Sequence, residues 1–254
     1  MKYILTLLTA LFCAVTASAA EVPSETAPKK NLTIDLGGGV TMEFVLIRPG
    51  TFPMGEKQSA HKVTLTKPFY LGKYHVTQEQ WERVMGNNPS HFKGLKNPLE
   101  NASWEDCQVF VRKLGEKMPG QTFRLPTEAE WEYACRAGST TRWCYGDAEA
   151  GLGEYGWYDR NSSGTTHPVG EKKPNAWGLY DMHGNVWQLC ADWYADYPPG
   201  DVTDPVGPAT GTVRVTRGGE WNRNAYHATS AFRGKTSPAL RFKSLGVRLV
   251  VEAR

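Results

Sequence analysis

An α+β domain with few helices, short strands and much irregular loop is the fold class this sequence predicts. Three observations carry that reading. The clear helix signals, capping boxes among them, all fall before Gly138. The β-like runs are short and scattered from the start of the domain to its end. Nine Trp and eleven Tyr beside 26 Gly and 16 Pro describe irregular backbone pinned by large aromatic anchors.

The elements follow in order. Thr41-Met42-Glu43-Phe44-Val45-Leu46-Ile47 is strand-like and is stopped by Arg48-Pro49-Gly50. Residues 62–66 alternate and lead into Phe69-Tyr70-Leu71. Thr77 with Gln80 forms a capping box, opening a helix that runs through Trp81 and Val84 and stops at Gly86. Ser103 caps the next helix, with Glu105 and Asp106 in the first turn where the dipole favours acids. Its apolar face is Cys107, Phe110, Val111 and Leu114. Thr127 with Glu130 caps a third helix through Trp131 and Cys135 to Gly138, with Pro126 fixing the entry. Beyond Gly138 short apolar patches alternate with Gly, Asn, Asp and Pro, and the chain closes on β-rich residues 213–215 and 245–251. No linker or repeat divides it, so a single domain is expected over 41–254.

The first residues read as an address. Lys2 precedes an apolar run over 3–15, and Ala17-Ser18-Ala19 supplies a cleavage pattern, so 1–19 is read as a secretory signal peptide. The run is shorter than the roughly 20 residues a membrane-spanning helix needs, so no span is expected after cleavage. Phe12 before Cys13 argues against a lipid-modified leader. Residues 20–40 are read as a flexible lead-in. The expected location is secreted or periplasmic. In that oxidising compartment Cys107, Cys135, Cys144 and Cys190 have one or two disulfides open to them, with no connectivity legible and no zinc spacing. A net charge of +3 with mixed signs leaves no basic stripe for nucleic acid.

Longer motifs carry a family resemblance. They are Gly50-Thr51-Phe52-Pro53-Met54-Gly55, Tyr74-His75-Val76-Thr77 and Asn101-Ala102-Ser103-Trp104-Glu105-Asp106. Arg124-Leu125-Pro126-Thr127-Glu128-Ala129-Glu130-Trp131-Glu132-Tyr133 continues the series. Then come Asn175-Ala176-Trp177-Gly178-Leu179-Tyr180-Asp181-Met182-His183-Gly184-Asn185-Val186-Trp187, Arg217-Gly218-Gly219 and Leu245-Gly246-Val247-Arg248. From about Met42 to Val251 the chain resembles the formylglycine-generating enzyme (sulfatase-modifying factor) domain, a variant of the C-type-lectin fold.

The resemblance implies chemistry that this chain only partly keeps. The family's oxidases hold copper on two cysteines at positions that match Arg223 and Ala228 here, and a third cysteine position falls at Arg233. Soft sulfur is what Cu(I) requires, so copper and formylglycine formation are not expected. The family's calcium turn implies Asp181, Gly184, Val186 and Gln188 as an oxygen ligand set, with calcium the expected cofactor and an empty turn held by hydrogen bonds the alternative. Glu220 stands where most relatives have serine, with Arg223 placed to pair with it as a solvated loop ion pair or as a ligand contact. His75, His167 and His183 are expected to be hydrogen-bonded structural residues.

The binding pocket is therefore expected at Trp187, Glu220, Trp221, Arg223, Tyr226 and His227, with no catalytic residue assigned. The leading functional reading is an exported module that binds a protein or small-molecule ligand, of the kind used as variable proteins by diversity-generating retroelements. Asn, Tyr, His and Ser over 221–233 suit adaptable recognition. One alternative is a maturation enzyme of altered chemistry with Glu220 or His227 as acid or base. The other is a formylglycine-generating oxidase acting on sulfatase cysteines through displaced thiols at Cys144 or Cys190.

Overall fold

The computed structural model describes residues 31–253, and the leader read at 1–19 lies outside the described residues. In chain order, β1 (Asn31–Asp35) and β2 (Thr41–Ile47) form a hairpin, and β3 (Gly50–Met54) and β4 (His61–Leu65) form a second. β5 (Phe69–Gly72) leads into α1 (Gln78–Met85) and α2 (Trp104–Lys117), and β6 (Phe123–Arg124) leads into α3 (Glu128–Arg136). After the short α4 (Leu152–Tyr155) come β7 (Trp187–Trp193), β8 (Val202–Thr203), β9 (Arg214–Arg217), β10 (Gly234–Thr236), β11 (Leu245–Gly246) and β12 (Val250–Glu252).

The strands form three sheets, ordered β1-β2-β5-β12-β6, β10-β9-β7-β11 and β3-β4-β8. All pairs are antiparallel except β7 with β11 and β4 with β8. The terminal β12 lies between β5 and β6, so the end of the chain ties its first half together. This is the α+β architecture of short strands and long loops that the sequence predicts.

Each of the three expected helices starts at its expected cap. Thr77, Ser103 and Thr127 accept from Gln80, Asp106 and Glu130 backbone N–H, and each third residue returns the bond to its cap. α1 and α2 cover the five-stranded sheet, where Trp81 stacks on Phe110 with ring centres 4.8 Å apart. α3 is buried on every side, which no amphipathic stripe can satisfy. Its charges are therefore paired: Glu132 with Arg217 and Arg136, Glu128 with Arg233, and Glu130 with Arg124.

Three expectations are corrected. The lead-in is shorter than 20–40, because Leu32 and Ile34 turn toward the core while Asn31–Asp35 pairs along β2. The Asp35 carboxylate accepts from Gly37 N–H at 2.7 Å to hold the turn between them. Second, β2 stops at Ile47 as expected, but Gly50 is not part of the break: it opens β3, an edge strand in which Pro53 costs no ladder bond to a second neighbour. Third, Cys107, Cys135, Cys144 and Cys190 are all free thiols. No helix among the described residues is long and apolar enough to cross a membrane.

Candidate functional site

The site is built on the turn that follows β9. Gly218 and Gly219 take φ of 95° and 78°, in the left-handed region. A Cβ on Gly218 would stand 2.8 Å from Gln188 Nε2, and one on Gly219 would stand 2.9 Å from Ala228 Cα. The two glycines thus let residues 220–228 fold back on their own strand. The motif at 181–187 clamps this turn, with Gly184 N–H donating to Gly218 O and Trp221 N–H donating to Asn185 O, at 2.6 and 2.9 Å.

His183 fixes the far side of the loop. A carbonyl can only accept and an amide N–H can only donate, so its two contacts set the tautomer. Nδ1–H donates to Ala228 O at 2.8 Å, and Nε2 accepts from Cys144 N–H at 3.1 Å. Residues Ala225–Ala228 form a single 3-10 turn, closed by His227 Nδ1 against Asn224 Oδ1 at 2.8 Å.

This backbone gathers five of the six expected pocket residues with one that the sequence reading missed. The His227 ring lies 4.7 Å from Phe232 and 6.5 Å from Trp187, and Tyr226 lies 5.2 Å from Phe232. Tyr226 is 48 % exposed, while Trp187 is nearly buried beneath the patch. Glu220 accepts from Arg223 Nε at 3.0 Å, and the Trp187 indole also holds its carboxylate. The pair is lopsided: the Glu220 side chain is buried and Arg223 is exposed, so the solvated loop pair is not what forms. Burial raises the Glu220 pKa, with Arg223 and Trp187 pulling the other way. Burial, then the Arg223 charge, lowers that of His227. Phe232 was hidden because its segment has no apolar period, and its place comes only from the loop folding back.

Trp221 does not join the patch through its ring. Its indole N–H donates to Lys243 O at 3.2 Å, and it packs edge-on against Phe92 at 5.3 Å.

The copper positions and the calcium turn each depart from the metal sites that the resemblance implies. Arg223 and Ala228 offer no sulfur, and the Ala228 carbonyl is taken by His183. Cys107, Cys135 and Cys190 are fully buried, and burial pushes their thiols up, that of Cys135 to about 12. At the calcium turn, Gln188 Oε1 accepts from Trp131 Nε1 and from Arg248 Nε, both at 2.8 Å, which fills its lone pairs. Arg248 also donates to Gly72 O, Tyr180 O and Asp181 O. Asp181 Oδ2 accepts from Gly170 N–H at 2.8 Å. Gly184 and Val186 are buried in the same turn. The Arg248 guanidinium stands against this oxygen set, while Asp181 Oδ1 is buried with no hydrogen-bond partner among the described residues.

The comparisons with known proteins agree with this architecture. Residues 38–253 match the family described as the sulfatase-modifying factor enzyme 1-like domain. The chain belongs to that family, with its formylglycine-generating-enzyme variant of the C-type-lectin fold. It is 30% identical over 245 residues to the chaperone protein LppX of Paenibacillus barcinonensis, covering 77% of this chain and 84% of that one. It is 33% identical over 199 residues to the formylglycine-generating enzyme of Streptomyces coelicolor, covering 73% of this chain and 58% of that enzyme. Among solved structures, Treponema denticola variable protein 1 superposes with a TM-score of 0.84 at 34% identity, covering 89% of this chain and all of that one. PvdO from Pseudomonas aeruginosa superposes at 0.78 with 25% identity, covering 89% of this chain and all of that one.

Proposed function

We propose that this protein is an exported ligand-binding module whose recognition surface is the patch of Tyr226, His227, Phe232 and Trp187 beside the Glu220–Arg223 pair. The single observation that carries this reading is the exchange at the copper positions. Arg223 there is an exposed cation hinged on a buried carboxylate, and Ala228 is a buried support. Aromatic rings lose little entropy on binding and a flexible cation adapts, which suits recognition of a protein or small-molecule ligand. Similarity to a variable protein of the same fold supports the reading, and so does a signal-peptide pattern at 1–19.

The test uses the mature chain and its triple variant Arg223→Ala, Tyr226→Ala, His227→Ala. Both are screened by biolayer interferometry against arrayed peptides and glycans. The variant is expected to fold, losing about 0.5 kcal/mol at each exposed position and somewhat more at His227, whose ring packs on Phe232. It is expected to lose the ligands the wild type binds. A sulfatase-motif cysteine peptide incubated with Cu(I) and oxygen should remain unmodified. Oxidation of that peptide, or a variant that binds as wild type does, overturns the proposal.

A further inference from the structure

A cavity of about 370 Å³ lies between the end of β7, the start of α3, the β3–β4 hairpin and the loop over 195–208, and Arg233 in its lining follows Phe232 of the patch. That volume is at the lower end of the roughly 300–1,000 Å³ typical of small-molecule sites. Tyr197, Pro198, Val206 and Pro208 give it apolar walls, and Asp192 lies in its lining. The roof is preformed rather than loose. β8 pairs with β4, and Asp204 accepts from Thr66 N–H at 2.8 Å. Gly207 packs so closely that a Cβ there would stand 2.9 Å from Asp192 Cβ.

The charges of the lining do not balance. Glu128 is neutralised by Arg233, whose Nε and Nη2 reach its two oxygens at 2.6 and 2.7 Å. Asp192 is 5% exposed and accepts from Glu128 N–H at 2.8 Å, but among the described residues it forms no ion pair. Arg214 feels its charge but is held elsewhere, stacked between Trp104 and Trp193 and donating to Ala191 O. Asp196, with no ion pair among the described residues, adds a second carboxylate in the exposed part of the lining. Burying a carboxylate without a counter-ion is costly, and a cation from outside would remove that cost.

We infer that this cavity is a binding site for a small primary ammonium compound with a flat apolar body, Asp192 serving as its counter-ion and Tyr197 with the prolines enclosing the body. This site is independent of the patch proposed above. The probes are tyramine and benzylamine, with benzyl alcohol and benzoate as neutral and anionic counterparts. Calorimetry on the mature chain should show saturable binding of the amines, and about tenfold or weaker binding of the counterparts, the loss expected when a charge-assisted bond is removed. Asp192→Asn keeps an acceptor for Glu128 N–H and should weaken amine binding by a similar factor. The Arg223, Tyr226, His227 triple variant should bind the amines as wild type does. Amide shifts in the wild-type NMR spectrum should cluster at Ala129, Trp193 and Gly207, a readout that stands even if Asp192→Asn fails to fold. No amine binding, equal binding of benzyl alcohol, indifference to Asp192→Asn in a folded variant, or shifts confined elsewhere would each sink the assignment.

Discussion

Arg248 is the residue that most changes what this fold's shared turn can do. It is completely buried, and burial brings its pKa down to about 10, yet it remains charged at neutral pH and donates to a ring of carbonyls and to Gln188. Asp181 sits within reach of its field, and burial lifts that carboxyl to about 6 against the pull of Gly170 N–H and Arg248. With glutamine at 188, the turn itself supplies one acid, Asp181, which already faces the guanidinium, and Glu171 acts on it from outside the turn. Millimolar calcium is therefore expected to leave the melting temperature of the wild type unchanged, because an ion binding only the folded state would raise it. Thermal scans with calcium and with chelator check this. A rise that Asp181→Ala abolishes would show that the turn holds a cation after all. The same asymmetry operates at Glu220 and Arg223, where one partner is buried and the other is left free to reach outward.

At the scale of elements, legibility followed the range of the interactions. α1, α2 and α3 could be read because each capping box is closed within three residues of its cap. β7 could not be read, since its partners β9 and β11 come later in sequence and its residues Gln188, Cys190 and Asp192 are buried with no alternation. β1 was lost to its polar outer face. The site was legible as residues but not as geometry. Glu220–Arg223 follows from spacing, whereas Phe232 joining His227 and Trp221 turning toward Phe92 depend on the Gly218–Gly219 turn. That dependence can be measured. Gly86 ends α1 with φ of 79° and nothing within 4 Å of an added Cβ, so Gly86→Ala should cost only the left-handed penalty, about 1–2 kcal/mol. Gly219→Ala adds a collision with the Ala228 backbone and should cost about 2–4 kcal/mol. Urea denaturation of both variants compares them. Equal losses would mean that the loop yields and that the turn does not position the patch.

Over the whole molecule, three buried carboxyls share one electrostatic consequence. Burial raises Glu100 to about 7, Asp192 to about 7 and Asp181 to about 6, and in each case it outweighs the bonds that favour the charged form. In the unfolded chain these groups titrate near 3.9–4.3. Between those values and about pH 7 the folded protein therefore holds protons that the unfolded chain has released. Stability falls as pH rises wherever the folded state binds more protons, so the contribution of these groups is fullest below about pH 4 and is lost through pH 7. Asp106, Asp201 and Asp204 act oppositely, kept low by hydrogen bonds from Arg241, Lys62 and Thr66, but their effect lies at more acid pH. His75 and His227, held below the usual histidine range by burial, act against these carboxyls below about pH 6.5, so the melting temperature is expected to decline between about pH 6.5 and pH 7.5 at constant ionic strength. Glu100→Gln preserves an acceptor for Phe92 N–H and should flatten that decline, as should Asp192→Asn. Scanning calorimetry across this range decides the matter. A melting temperature that rises with pH, or a slope unchanged in both variants, would show that these carboxyls ionise inside the fold at ordinary cost.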